Sequence, residues 1–285
     1  MILVTGTKRS GTSMWMQIMQ AGGFPIFGEA FPRKWGETIR DANPAGFYES
    51  LLRQGIYHAT NPHPRTGDYL FPEQVKGHVV KVFIPGVIRS DRAYIDRVVV
   101  TFRHWREYVR SIERLNAMEA EKRDPEKPDL GPRALSPLME WWHENYSLIR
   151  DVVTRRYPVH FVAYETVLED PKTHITAVLE WIGAGDSDAA AAVVTPELRT
   201  QEKPEVDTDL PKWVLDTFDT LYEHIRFHKP LTKGFIDKLN QTNYYLLPGL
   251  REEKAEIVRS RRRRVAARSG AARSKSGGES SSSTS

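Results

Sequence analysis

Two hydrophobic rhythms follow one another along the chain, and the switches between them define its elements. Ile2-Leu-Val-Thr5 is a short apolar run stopped by Gly6. Met14, Ile18 and Met19 then recur at helical spacing until Gly22-Gly23, so the chain opens with a strand, a loop and a helix. His78 to Phe83, Arg97 to Phe102 and Pro158 to Ala163 are unbroken runs rich in β-branched residues, the pattern of strands buried on both faces. Helical patterns lie between and after them, over Trp105–Lys122, from Ser136-Pro137 onward, and over Pro171–Trp181 with Gly183 as a stop. Ser136 is a capping residue type and Pro137 suits the first helical position; the helix they start shows Trp142, Tyr146, Ile149 and Val153 on one face. Two further helices are expected over 211–228 and 232–245, and a charged one from Glu252 into Arg261–Arg264. Residues 24–75, rich in Pro, Gly and aromatics, and 124–136 read mainly as loops. Strands alternating with helices predict an α/β fold: a mostly parallel sheet of about five strands, with helices on both faces.

Charge divides the chain unevenly. The net charge is +4, yet residues 251–285 hold ten Lys/Arg against four Asp/Glu, which leaves residues 1–250 at about −2. The body is therefore not expected to bind nucleic acid, and the basicity belongs to the tail. Its Arg261–Arg264 run suits RNA, acidic lipid or an acidic partner, but a short basic run of this kind is read first as solvated tail. From Ser269 the tail is Ser/Gly-rich and is expected to be disordered. The domain reading is thus 1–250 as one α/β domain and 251–285 as a basic, then Ser-rich, tail. With no cysteine in the chain, disulfides, thiol nucleophiles and cysteine-held metals are excluded. Residues 2–5 already read as a buried strand and no apolar run is long enough to span a membrane, so a cytoplasmic location is expected.

Chemistry concentrates first in Gly6-Thr-Lys-Arg-Ser-Gly-Thr-Ser13, between the first strand and its helix. Small residues there let backbone N–H groups converge on an anion at a helix N-terminus. Lys8 and Arg9 add cations, and Ser10, Thr12 and Ser13 add hydroxyls around Gly11. A kinase or nucleotidase loop of this spacing carries Lys where this chain has Thr12. The strand at 97–102 likewise runs into Arg103 rather than a metal-holding Asp. Both departures favour a phosphate neutralised by protein cations alone. The second feature is Arg103, at a strand end, with Ser111 eight residues on in the next helix; the two can face one anion.

These segments and Phe161-Val-Ala-Tyr-Glu-Thr-Val-Leu-Glu-Asp-Pro171 occur in an order that resembles the PAPS-dependent sulfotransferase family, with its P-loop-like three-layer sandwich. The likeness is greatest to a bacterial branch with Arg-Ser-Gly-Thr-Ser-Met, a Gly-Gly-x-Pro turn and Asn-Pro-x-Gly-[Tyr/Phe]-Tyr-Glu. Here these are Arg9–Met14, Gly22–Pro25 and Asn43–Glu49, and the resemblance spans about residues 1–200. It implies that Lys8 to Ser13 hold the 5′-phosphosulfate of PAPS (3′-phosphoadenosine 5′-phosphosulfate), Arg103 and Ser111 its 3′-phosphate, and Tyr164 the adenine. Lys81 matches a family lysine and, with Arg9, is expected to stabilise charge on the transferring group. Phe83 stands where a family histidine, the general base, would fall. Glu29 is the first candidate for that role, ahead of Glu49 and His58, since bacterial relatives place a glutamate after the first helix. Residues 26–75 and 116–136 are expected to select the acceptor, whose class (carbohydrate, lipid, peptide or small aromatic) stays open. His224 and His228 have the i, i+4 spacing of a metal pair without a carboxylate motif, and no metal is expected. Two rivals remain at this point, a Mg²⁺-dependent small-metabolite kinase and a non-catalytic nucleotide-binding protein.

Overall fold

A computed structural model describes residues 1–31, 46–121, 130–195 and 205–278. Five parallel strands form one sheet in the order β2-β3-β1-β4-β5: β1 (Ile2–Thr5), β2 (Ile26–Phe27), β3 (Val79–Lys81), β4 (Arg97–Phe102) and β5 (Val159–Ala163). The chain steps from β1 to one side for β2 and β3, then to the other for β4 and β5. That reversal at β1 is the switch point where such sheets bind ligands. The fold is the α/β sandwich that the pattern predicts. The two-residue β2 is too short to show a period within residues 24–75.

Side chains alternate across the sheet, so each strand feeds two cores. Ile2, Val4, Val79, Val99 and Val162 pack beneath α1 (Thr12–Ala21) and α6 (Pro171–Ile182) through Trp15, Met16, Ile18, Val178 and Leu179. Leu3, Val80, Val98, Val100 and Phe102 face α2 (Ile84–Arg89), α3 (Trp105–Glu121), α4 (Pro137–Arg155) and α8 (Lys212–Arg226), around Trp141, Trp142 and Phe218. The short helices α5 (Tyr164–Glu169) and α7 (Ser187–Ala192) complete the first layer. Val153 departs from the expected stripe: it is 46% exposed, and its neighbour Val152 packs against the core in its place.

The last helix, α9 (Lys233–Gly278), extends further than expected. Pro248 sits inside it, and the 232–245 and Glu252–Arg264 segments are one helix. The stretch from Ser269 to Gly278, expected to be disordered, is helical as well; residues 279–285 lie outside the described region. The alanine and arginine content of 261–273 carries a helix already nucleated in the body. The helix is also tied down beyond Leu250. Ser260 Oγ donates to the Pro132 carbonyl at 2.7 Å, Arg264 donates to the Gly131 carbonyl at 3.0 Å, and Ser136 N and Oγ donate to Glu253 at 2.7 and 2.8 Å. Ser136 thus stands at the N-cap of α4 but spends its hydroxyl on α9. Among the described residues no helix is long and apolar enough to cross a membrane.

Candidate active site

Every parallel strand ends at the same edge, and each delivers one of the residues singled out in the sequence. The Gly6–Gly11 loop follows β1, Glu29 follows β2, Lys81 closes β3, Arg103 follows β4 and Tyr164 follows β5. Register sets their spacing, with Val4 beside Lys81 on one flank and Thr5 beside Val100 on the other.

The loop is built by its small residues. A Cβ on Gly6 would lie 2.4 Å from both the Thr101 carbonyl and Ser10 Oγ, so no larger residue fits. Gly11 has φ +94° and lies so close to the Tyr164 ring that a Cβ would meet it at 2.5 Å. Arg9 takes the left-handed conformation, φ +62°. Ser10 Oγ donates to the Thr7 carbonyl at 2.7 Å, and Thr101 Oγ1 donates to the Ser10 carbonyl. Ser10, expected to offer its hydroxyl to a ligand, is fully buried and braces the loop instead. Thr12 and Ser13 open α1, whose N-cap Gly11 supplies no side-chain acceptor and whose first turn has no acidic residue. The positive end of that helix is left for an anion.

On the β3 flank Lys81 is a hub. Its Nζ donates to the Phe47 carbonyl at 2.9 Å, Ser13 Oγ at 3.2 Å and Glu49 Oε1 at 3.4 Å. Glu49 also takes Arg53 at 3.0 Å. Burial lowers the Lys81 pKa and Glu49 opposes the shift, so the carboxylate keeps the buried ammonium charged. Glu49, ranked behind Glu29 as a base, is buried and committed to two cations. Glu29 pairs with Glu49 through its backbone, N to O at 3.3 and 3.1 Å, while its carboxylate is exposed. Phe83 caps α2 and donates its amide to the Arg53 carbonyl at 2.9 Å. His58 is exposed. Asn43, Pro44 and Ala45, the start of the motif that ends in Glu49, lie outside the described residues, as do 122–129 of the 116–136 segment.

On the β4 flank a second cationic group forms. Arg103 is 5% exposed; it donates to the Arg9 carbonyl at 2.8 Å, reaches Glu107 at 3.5 Å and lies 4.8 Å from the centre of the Tyr164 ring. Its Nε is buried with no hydrogen-bond partner. Arg9 keeps surface open to solvent and turns sideways along this flank, its Nε donating to Ser111 Oγ at 3.4 Å. Desolvation lowers the Arg9 pKa, and the charges of Arg103 and Arg114 lower it further. The structure therefore brings Arg9, Arg103, Ser111 and Tyr164 together and sets Lys81 with Ser13 on the opposite flank.

Lys8 points elsewhere. Its Nζ meets Glu140 Oε1 at 3.2 Å, and Tyr108 donates to the other oxygen of Glu140 at 2.8 Å. One turn on, burial and Glu140 push the Glu144 pKa up to about 8, with Lys8 opposing. The sequence reading passed over Glu107, Glu140 and Glu144. The signal for Glu107 was its i, i+4 spacing from Arg103, whereas Glu140 meets Lys8 and Tyr108 only through the fold. His224 stacks on Phe235 at 3.8 Å while His228 faces His160 at 5.8 Å, so the pair does not converge. Among the described residues no group of three His, Asp or Glu is placed to hold a metal.

No family model matches the chain, and no curated protein matches it. Among solved structures, the sulfotransferase domain from the Synechococcus PCC 7002 olefin synthase is similar at 14% identity and a TM-score of 0.38, over 85% of this chain and 93% of that one. A likeness of that size leaves the function to be argued from the site.

Proposed function

We propose that the chain is a sulfotransferase that uses PAPS to sulfate a hydroxyl or amine of an acceptor, releasing adenosine 3′,5′-bisphosphate. The observation that carries this reading is the pair of cationic groups at one sheet edge: Lys81 with Ser13 on one side of the loop, and Arg9, Arg103 and Ser111 on the other. A nucleotide with anions at two ends matches them. The residues fit such a ligand. Gly6 and Gly11 keep side chains out of the loop, the start of α1 is uncapped, and a buried Arg103 nitrogen has no partner. The kinase alternative draws no support from the donor set, since Thr12 replaces the loop lysine and Arg103 the metal-holding acid.

When bound, PAPS supplies the sulfuryl group, whose bond to the 5′-phosphate oxygen breaks as the acceptor atom bonds to sulfur. Lys81, held charged by Glu49, and the first N–H groups of α1 stabilise the charge gathered there. Tyr164 offers the adenine a ring already steadied by Arg103. Glu29 takes the acceptor's proton. Its exposed carboxylate makes no ion pair with the described residues, and its backbone is fixed to the glutamate that grips Lys81.

Transfer of label from radiolabelled PAPS to acceptors in a cell extract tests the reading. The wild type is expected to yield a labelled product, and Glu29→Gln to lower its rate by roughly two to four decades with adenosine bisphosphate affinity kept. Unchanged turnover in the variant removes Glu29 from the role. A wild type that binds the nucleotide but labels nothing supports the non-catalytic alternative.

A further inference from the structure

The β4 flank holds one more cation, on a residue the sequence patterns did not single out. Ser111 and Arg114 are three apart on α3, so they share a helix face one turn from each other. Ser111 meets Arg9 Nε at 3.4 Å, and Arg114 is close enough that its charge depresses the same Arg9 guanidinium. Arg114 is exposed, borders an open depression of about 350 Å³ with Arg110, Glu113 and Ala117, and makes no hydrogen bond or ion pair with the described residues. Its neighbour Arg110 differs in this respect, reaching Glu113 at 3.9 Å. Arg103, behind them, is anchored by Glu107 and the Arg9 carbonyl. Arg103 and Arg114 thus both repel the Arg9 guanidinium that meets Ser111, and that repulsion is relieved by an anion of more than one charge.

We propose that Arg114 makes this end of the site selective for a terminal phosphate dianion, acting as the mobile third cation beside Arg9 and Arg103. A phosphate monoester carries close to two charges at neutral pH and three acceptor oxygens, enough for two guanidinium groups and the Ser111 hydroxyl. A sulfate ester carries one charge and leaves a cation uncompensated. Being exposed, Arg114 is free to swing onto the ligand, whereas Arg103 is fixed in advance. The inference rests on the reading of the chain as a PAPS enzyme and adds the residue that tells a 3′-phosphorylated nucleotide from its unphosphorylated analogue.

Calorimetric titration of the full chain with adenosine 3′,5′-bisphosphate and with AMP tests it, using the wild type, Arg114→Ala and Arg114→Lys. Thermal melts of each variant confirm folding. Arg114→Ala is expected to weaken bisphosphate binding about tenfold, which is roughly 1.4 kcal/mol, and AMP binding less than about twofold. Arg114→Lys is expected to recover part of the loss. The penalty should also shrink as pH falls below about 6, where the phosphate takes up its second proton. Equal losses for both ligands, or none for either, overturn the role of Arg114 while leaving the nucleotide site intact. A wild type that binds neither ligand overturns the PAPS reading along with it.

Discussion

Glu144 shows how strongly position governs a side chain in this site. It lies half-buried one turn beyond Glu140, which already serves Lys8 and Tyr108, and its pKa rises to about 8 through burial first and Glu140 second. A carboxyl with a higher pKa folded than unfolded stabilises the fold at low pH. That contribution is lost as pH rises from the ordinary 4.5 through about 8. The melting temperature of the wild type is therefore expected to fall between pH 5 and 8.5. Glu144→Gln should flatten that part of the curve and melt higher at pH 8.5, by about 2–4 °C for each kcal/mol relieved. Parallel curves for the two proteins would contradict the assignment. Residue types announced the loop and the pair Arg103 and Ser111, because a phosphate cradle needs cations and hydroxyls beside the strand ends, while Tyr164 was implied only by the family resemblance. They did not announce where Arg9 points. Its left-handed φ and the Ser111 contact come from folding α3 against the loop, a juxtaposition across 102 positions that no local pattern carries. Glu49 was visible as a motif letter and a lesser candidate base; the Lys81 and Arg53 contacts give it a different task.

Elements were legible where their period was long and clean. Strands β1, β3, β4 and β5 lie within the predicted runs, and Gly183 ends α6 in the left-handed conformation expected of it. Two departures have physical causes. Strand β2 is two residues pinned by β3, below the length at which alternation is measurable. Helix α9 runs through Pro248 and past Leu250, and its fixed partners are backbone carbonyls at Gly131 and Pro132, which a sequence pattern does not reveal. This strap holds the segment that leads into α4 and hence the helix bearing Glu140. Lys254 adds a contact to His143 at 2.9 Å. Truncation after Leu250 is expected to lower the melting temperature by on the order of 5 °C, since several partly exposed hydrogen bonds are lost together. A truncation after Gly278 should change it little. Scanning calorimetry of both decides the matter, and an unchanged melt after truncation at Leu250 would show that the strap is idle.

For the whole molecule, architecture and charge together narrow the chemistry. The reversal of strand order at β1 places the loop at the middle of the sheet edge, with one cationic group on each flank. The body carries about −2 while the tail is basic, so attraction of an anionic nucleotide is local to the edge rather than a property of the overall field. The domain boundary read at residue 250 follows this change in composition, but the backbone crosses it as one helix. The central claim is that two protein cation groups clasp opposite ends of a bisphosphorylated nucleotide without a divalent ion between them. Titration of the purified chain with adenosine 3′,5′-bisphosphate in a chelator-containing buffer, against AMP, tests it most directly. The account predicts saturable binding about tenfold or more tighter than AMP, unchanged by the chelator and weakened by salt. Absence of heat, equal affinity for the two nucleotides, or binding that appears only when Mg²⁺ is restored would contradict it.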